Sequence, residues 1–266
     1  MIIDPNWRIL TVGDGDFSFS ASLLQHHQPT HLTAAILDSY QTLNEKYGDK
    51  FYQQLIQGGA EVLTEFDVTD RQCFSRLGDQ KFDLVIFQFP LIPGFSSQQH
   101  FADKCQHIGV NTLNRRLLRS FLQHCFKYGL DLQGAQLCVI TSKDVKPYRQ
   151  WNIEHSLTID TDIHYLGSMP FNASDFPNYQ VRNVDRDKFV KDTLGISYFW
   201  SQNPHHQLTE KLKPLAFQGE DSCAMCRVGP FMNQQDKLIH QQSKRHTSMA
   251  QFEQQWLNDL SNHSSV

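Results

Sequence analysis

Apolar positions along the chain fall into short continuous runs separated by amphipathic stretches, the pattern of buried strands alternating with surface helices. Residues 9–12 form the first run and lead into Gly13 and Gly15. Residues 34–37 form the second and end on Asp38; residues 61–67 repeat the pattern and close on Asp67. Further strands are predicted at 83–87, 135–141, 159–166 and 197–200. Between them, residues 40–57 carry Leu43, Tyr47, Phe51 and Leu55 at helical spacing, and Gly58-Gly59 stops the helix. Residues 111–128 place Leu113, Leu117, Phe121 and Cys125 on one face, with Gly129 as the stop. This succession predicts an α/β domain over residues 1–200: a Rossmann-like, mostly parallel sheet with helices on both faces.

Ligands of such sheets bind beyond the carboxyl ends of the strands, where Gly13, Asp38, Asp67 and Gln88 all fall. Gly13 permits a tight turn and Gly15 lets backbone approach a ligand closely. The third glycine of a dinucleotide fingerprint is Ser18 here. Without a pyrophosphate cradle, an adenosyl ligand such as S-adenosylmethionine suits the loop better than NAD. Asp38 lies at the second-strand position where an acid grips ribose hydroxyls, since a carboxylate accepts both hydroxyl protons. Asp67 is placed to face the adenine amino group, or else is a helix N-cap or a solvated loop residue.

Bulk properties narrow the class. A chain of 266 residues, 39% of them hydrophobic, holds one large domain and a small appendage. No apolar run approaches the roughly 18 residues of a membrane helix. The start shows no basic region ahead of an apolar stretch, so no secretion signal is visible. A formal charge of −4 excludes a whole-surface nucleic-acid binder and confines any RNA contact to local basic patches. Six cysteines include one close pair, and the rest are scattered, which predicts a reducing, cytoplasmic (or nucleolar) setting.

Several separated blocks resemble the Rossmann-like methyltransferases that methylate N3 of a uridine in large-subunit ribosomal RNA. Val12-Gly-Asp-Gly-Asp-Phe-Ser-Phe-Ser20 is similar to the opening motif of that family, and Phe82-Asp-Leu-Val-Ile-Phe-Gln-Phe-Pro90 to its fourth-strand motif. Asn111 with Leu117-Leu118, Lys146-Pro-Tyr-Arg-Gln-Trp151 and Phe176-Pro-Asn-Tyr179 resemble later blocks. Gln88 stands where the family usually has Asn, and Leu91 where it usually has His. The resemblance implies a donor set of Gly13, Asp14, Gly15, Asp16, Phe17, Ser18, Asp38, Asp67 and Gln88. It also implies an RNA substrate, ribosomal RNA first, and transfer of a sulfonium-activated methyl group to a base nitrogen. Loss of the N3 proton calls for a base or a group that stabilises the imide anion, for which Gln88, Lys143 and Asp175 are candidates. Phe89, Tyr148, Trp151 and Tyr179 are candidate platforms for a flipped base. No Cys sits in a motif suited to attack at C6.

A second constellation lies further on. Cys223-Ala-Met-Cys226, thirteen residues, His240, five residues and His246 supply the two thiolates and two imidazoles that structural zinc prefers. The segment 239–246 resembles the matrin-type finger of RNA-associated proteins. Five residues between the histidines exceed one helical turn, so the helix must be irregular there. Phe231 and Leu238 are the expected finger core, and Lys237, Lys244 and Arg245 a phosphate-facing or merely solvated cluster. Residues 201–219 read as a linker and 220–266 as finger plus a helix. Its stripe of Met249, Phe252, Trp256 and Leu260 docks on the finger, on the main domain, or on a partner. Two other readings stay open: a methyltransferase with a non-RNA substrate, and a non-catalytic RNA-binding or assembly protein on this fold.

Overall fold

The computed structural model describes residues 1–93, 97–105, 108–181 and 194–263. A seven-stranded sheet organises the molecule. Its strands are β1 (Arg8–Val12), β2 (His31–Ala35), β3 (Glu61–Leu63), β4 (Leu84–Gln88), β5 (Leu137–Lys143), β6 (His164–Phe171) and β7 (Gly195–Ser201), in the spatial order β3-β2-β1-β4-β5-β7-β6. The first five run parallel; β7 is antiparallel to β5, and β6 to β7. The helices are α1 (Ser18–His27), α2 (Tyr40–Tyr47), α3 (Lys50–Gln57), α4 (Gln98–Cys105), α5 (Val110–His124), α6 (Ile153–Ser156), α7 (Gln234–Gln241) and α8 (Lys244–His263).

Alternation along each buried strand divides the core in two. Ile9, Ala34, Leu84, Ile86, Val139 and Phe199 face a layer built by Phe19 and Leu23 of α1, Leu43 of α2 and Leu55 of α3. Leu10, Val12, Val85, Phe87, Cys138 and Ile140 face the other way, onto Leu118, Phe121 and Leu122 of α5. Helices on both faces make the sheet two-sided, which is the α/β architecture the alternating pattern predicts.

Several boundaries differ from expectation. The helix expected over 40–57 is two helices, because Gly48 at φ 74 ends α2 and Asp49 starts α3. The third strand stops at Leu63; Glu65 takes φ 55, and Asp67 accepts from Thr69 N and Oγ1, so its carboxylate closes a turn. The last turn of the long helix widens into a π turn at Cys125–Gly129. The strand expected at 159–166 lies further on, because Arg119 draws the carbonyls of Leu157 and Ile159 into a turn. In the stretch expected to link the two parts, Leu208 and Leu212 are buried in the α1-side core, and His206 bonds the carbonyl of Ala135.

The helical stripe after the cysteine pair docks on the main domain. Trp256 is fully buried and its indole N–H donates to the carbonyl of Ser156. Glu253 pairs with Arg115 at 2.7 Å, and Asp259 with Arg116 at 2.5 Å, both arginines on α5. No described helix is long and apolar enough to cross a membrane.

Trp256→Ala removes the largest apolar anchor of α8 and leaves a cavity, so urea unfolding is expected to lose about 3–5 kcal/mol. Leu257→Ala, on the exposed face of the same helix, is expected to stay within about 0.5 kcal/mol.

Candidate active site

A cavity of about 700 Å³ opens beyond the carboxyl ends of β1, β2 and β4. One end is built by the turn after β1. Gly13 and Gly15 both take φ 65, the left-handed region where glycine is unstrained. A Cβ on Gly13 would stand 2.3 Å from the Phe87 ring, so no side chain fits there. Gly13 N donates to Ala35 O at 2.8 Å, which sets the turn against the end of β2.

Asp14 fixes the other side of that turn. Its carboxylate is buried and accepts from Phe19 N, Ser20 N at 2.7 Å and Ser20 Oγ at 2.6 Å, tying the start of α1 back to the loop. Burial, and then the neighbouring charge of Asp16, push the Asp14 carboxyl up to about 8, against the pull of these hydrogen bonds.

Of the residues expected to hold the donor, Gly13, Asp14, Gly15, Asp38, Asp67 and Gln88 line the cavity. Asp16, Phe17 and Ser18 are not among its lining residues. Phe17 is fully buried in the α1-side core, and Asp16 caps Ser18 N at 3.0 Å. Ser18 Oγ receives Gln180 N at 3.1 Å, which draws the loop carrying Tyr179, Gln180 and Val181 over the glycine turn as a cavity wall. Asp38 sits on the rim paired with Lys46 at 3.0 Å. Lys46, eight residues on and in α2, is a cavity residue that was not singled out in the sequence.

Gln88, at the end of β4, is 5% exposed, and neither its amide oxygen nor its nitrogen has a hydrogen-bond partner. Buried amides are nearly always satisfied, so an orphaned one in a cavity wall calls for an explanation. The next residue, Phe89, is held at φ 46 with its N–H on Thr141 O, an uncommon conformation for an aromatic side chain.

The remaining expectations divide. Phe89 and Tyr179 line the cavity; Trp151 lies in the core, and Tyr148 packs edge-on against it, so neither is an aromatic platform in this structure. Lys143 lies beyond the lining, over the Tyr148 ring, with its ammonium pKa lowered by burial. Asp175 is tied to the amino terminus and to Asn172, away from the cavity. On α5, Leu113 and Leu117 turn toward the cavity with Arg116 and Ser120, while Phe121, and Cys125 in the π turn that follows, face the core. The sequence showed the stripe but not that it would be shared.

The Cys/His set assembles separately. The ligand atoms of Cys223, Cys226, His240 and His246 all lie within 4.8 Å of one another. Cys223 Sγ and Cys226 Sγ stand 3.6 and 3.7 Å from His246 Nδ1, and the two histidine nitrogens 3.2 Å apart. The helix breaks at Gln242–Ser243 between α7 and α8, which is the irregularity the histidine spacing demands. Leu238 is 41% exposed, so it is not the finger core expected of it; Phe231 packs on the His240 ring instead. Arg227, beside the second cysteine, anchors the unit through Glu154 at 2.8 Å and Asp144 at 3.2 Å.

Residues 10–183 match the family model described as BMT5-like, rRNA (uridine-N3-)-methyltransferase. The Arabidopsis thaliana protein At4g26485 is 29% identical over 175 residues, 65% of this chain and 79% of that protein. Heavy metal-associated isoprenylated plant protein 41 of Arabidopsis thaliana is 27% identical over 183 residues, 68% of this chain but only 33% of its own length. Among solved structures, a cyclopropane-fatty-acyl-phospholipid synthase-like protein of Lactobacillus casei aligns with a TM-score of 0.46 and 11% identity, over 75% of this chain and 85% of that one. The family match covers well over half of the sequence, and the chain belongs to the BMT5-like methyltransferase family. Its donor is S-adenosylmethionine and its acceptor an RNA. The cavity fits that donor: its volume suits a ligand of this size, and its acids can receive hydroxyl and ammonium donors.

The raised Asp14 carboxyl has a consequence for stability. Below about pH 4 both folded and unfolded chains hold the proton; between about 4 and 8 only the folded chain does. Stability therefore declines as pH rises through that window, by at most about 1.4 kcal/mol per unit. Asp14→Asn is expected to flatten the decline in urea unfolding followed from pH 5 to 8.

Proposed function

Taking membership of the BMT5-like family as the premise, we propose that this chain methylates N3 of a uridine in ribosomal RNA, within the cavity at the ends of β1, β2 and β4. The observation that carries the reading is Gln88, a cavity-lining residue whose buried amide leaves donor and acceptor both without a partner. Uracil presents carbonyl oxygens on either side of N3. The Gln88 N–H group donates to one of them and stabilises the imide anion left as the N3 proton departs to solvent. S-adenosylmethionine, when bound, supplies a methyl group already activated by its sulfonium, so the chain has mainly to align donor and acceptor.

Each end of the cavity then has a task. Asp38 receives the ribose hydroxyls, exchanging its bond to Lys46 for them, and Gly13 and Gly15 let the backbone lie against the donor. Asp67, committed to Thr69, contributes its remaining acceptor capacity to the adenine amino group. Phe89 and Tyr179 flank the acceptor base as stacking surfaces. Asp14 holds the turn and stays with Ser20.

Asp38→Ala is expected to weaken S-adenosylmethionine binding at least tenfold in calorimetric titration. Gln88→Met, of similar volume, is expected to keep donor affinity within about twofold and lower kcat for rRNA methylation about 100-fold, the scale of a lost anion-stabilising donor. A Gln88→Met enzyme with full kcat, assayed by N3-methyluridine in nuclease digests, would remove Gln88 from the chemistry.

The Cys/His set is proposed to hold one structural Zn²⁺. Tetrahedral zinc places sulfur and nitrogen ligands about 3.6 Å apart and two nitrogens about 3.3 Å apart, close to the separations seen here. Burial and the adjacent Cys223 push the Cys226 thiol up to about 12, a penalty that a divalent cation removes. Four protein ligands leave no open position, so the ion is structural and not catalytic. One zinc per chain is expected in metal analysis of the purified protein, with Cys226→Ser losing it and shortening urea resistance; an undiminished metal content would overturn the assignment.

A further inference from the structure

Arg115 and Arg116 are consecutive on α5, and α8 grips both. Arg115 is fully buried, with Nη2 bonded to Gln150 O and to Glu253 Oε1, each at 2.7 Å. Arg116 is different: its side chain is 31% exposed and lines the cavity. Asp259 takes it in a two-pronged pair, Nε to Oδ2 at 2.8 Å and Nη2 to Oδ1 at 2.5 Å. Such a fork fixes the plane of the guanidinium as well as its place.

Charge is distributed unevenly around the cavity. Asp38, paired with Lys46, and Asp67 line the half near the glycine turn, where the cationic donor is read to sit. The half beyond Gln88 is apolar, formed by Pro90, Leu91, Ile92 and Pro93 with Leu113 and Leu117, and its lining cation is Arg116. Ile92 N donates to Asn114 Oδ1, so this loop and α5 form one wall. An RNA strand that delivers a base to Gln88 brings its phosphodiesters past that wall.

We propose that Arg116 binds a phosphate of the acceptor RNA and that Asp259 is a positioning residue, holding the guanidinium in the orientation that phosphate meets. The proposal rests on the methyl-transfer reading of the cavity. Asp259 does not swing aside, because α8 is pinned within two turns of it by Trp256 against Ser156 and by Glu253 against Arg115. The isolated ion pair adds little to stability; its product is a preset angle.

The prediction has a distinctive sign. Removing an acid near an RNA path ordinarily tightens binding, since the polyanion is repelled less. A positioning role predicts the reverse. The test uses the full chain loaded with zinc and a fluorescein-labelled oligouridine, titrated by anisotropy at several KCl concentrations. Arg116→Gln is expected to weaken binding about fivefold and to reduce the salt slope by about 0.7, the loss of one phosphate contact on a single strand. Asp259→Asn is expected to weaken it to a similar degree, Asp259→Glu to restore most of the affinity, and the double variant Arg116→Gln with Asp259→Asn to be no worse than Arg116→Gln, because the pair acts as a unit. Donor affinity, measured separately by calorimetry, is expected to stay within about twofold in all four. Unchanged or tighter RNA binding by Asp259→Asn overturns the proposal. So does a matching loss of donor affinity that Asp259→Glu does not recover, since that marks a structural strut. A wild-type chain that fails to bind S-adenosylmethionine removes the methyl-transfer reading alone, because the RNA comparison is read without the donor.

Discussion

The glycine-turn end of the cavity depends on one buried carboxyl group. Asp14 sits between Gly13 and Gly15, both at positive φ, and its oxygens gather Phe19 N, Ser20 N and Ser20 Oγ. Ser20 Oγ also meets Thr11 Oγ1 at 2.7 Å, so β1 and α1 are joined on both sides of the turn. The turn in turn locates Ser18, and Ser18 holds the loop of Tyr179 and Gln180 against the mouth. The glycine turn and the loop of Tyr179 and Gln180 are thus placed by hydrogen bonds that start from one buried side chain. The raised pKa of that carboxyl is the electrostatic cost of using a buried acid as a joint.

On the acceptor side the equivalent element is α5. One of its faces packs Leu118, Phe121 and Leu122 onto the sheet, and another turns Leu113, Arg116 and Leu117 to the cavity. Its carboxyl end reaches the loop after β3 too, where His124 Nδ1 meets the carbonyl of Val68, next to Asp67. A helix with three neighbours has little freedom, and α8 removes what is left.

The parts of this arrangement that were legible in the sequence are those written in local period and turn chemistry. The β1 run, the paired glycines, Asp38 at the close of β2 and Gln88 at the close of β4 are each visible as a pattern of adjacent residues, and all four reach the cavity. The Cys/His spacing was equally explicit, down to the break the helix needs at Gln242–Ser243. What was hidden depends on the direction of side chains whose environment is set from far away. Phe17 and Ser18 lie in the same motif as Gly15, yet one is core and the other a clasp. Trp151 and Tyr148 look like base platforms in a Pro-Tyr-x-x-Trp block, and only the packing of the α5 layer shows them turned inward. Arg115 and Arg116 carry no local signal that singles them out; their surroundings come from Glu253 and Asp259, more than a hundred residues away.

That separation has a kinetic meaning. Arg115 and Glu253 are 138 positions apart in the chain, and Arg116 and Asp259 are 143 apart. During synthesis the sheet and α5 leave the ribosome well before residues 253–259 do, at a rate of roughly 5–20 residues per second. For those several seconds a guanidinium destined to be wholly buried has no carboxylate beside it, and burying it alone is strongly unfavourable. Until the helix behind the Cys/His unit arrives, Arg115 lacks the carboxylate it is buried with and Arg116 lacks the partner that fixes its guanidinium plane. Burial of Arg115 with its carboxylate and orientation of Arg116 are therefore late events, completed only once residues 253–259 have been made.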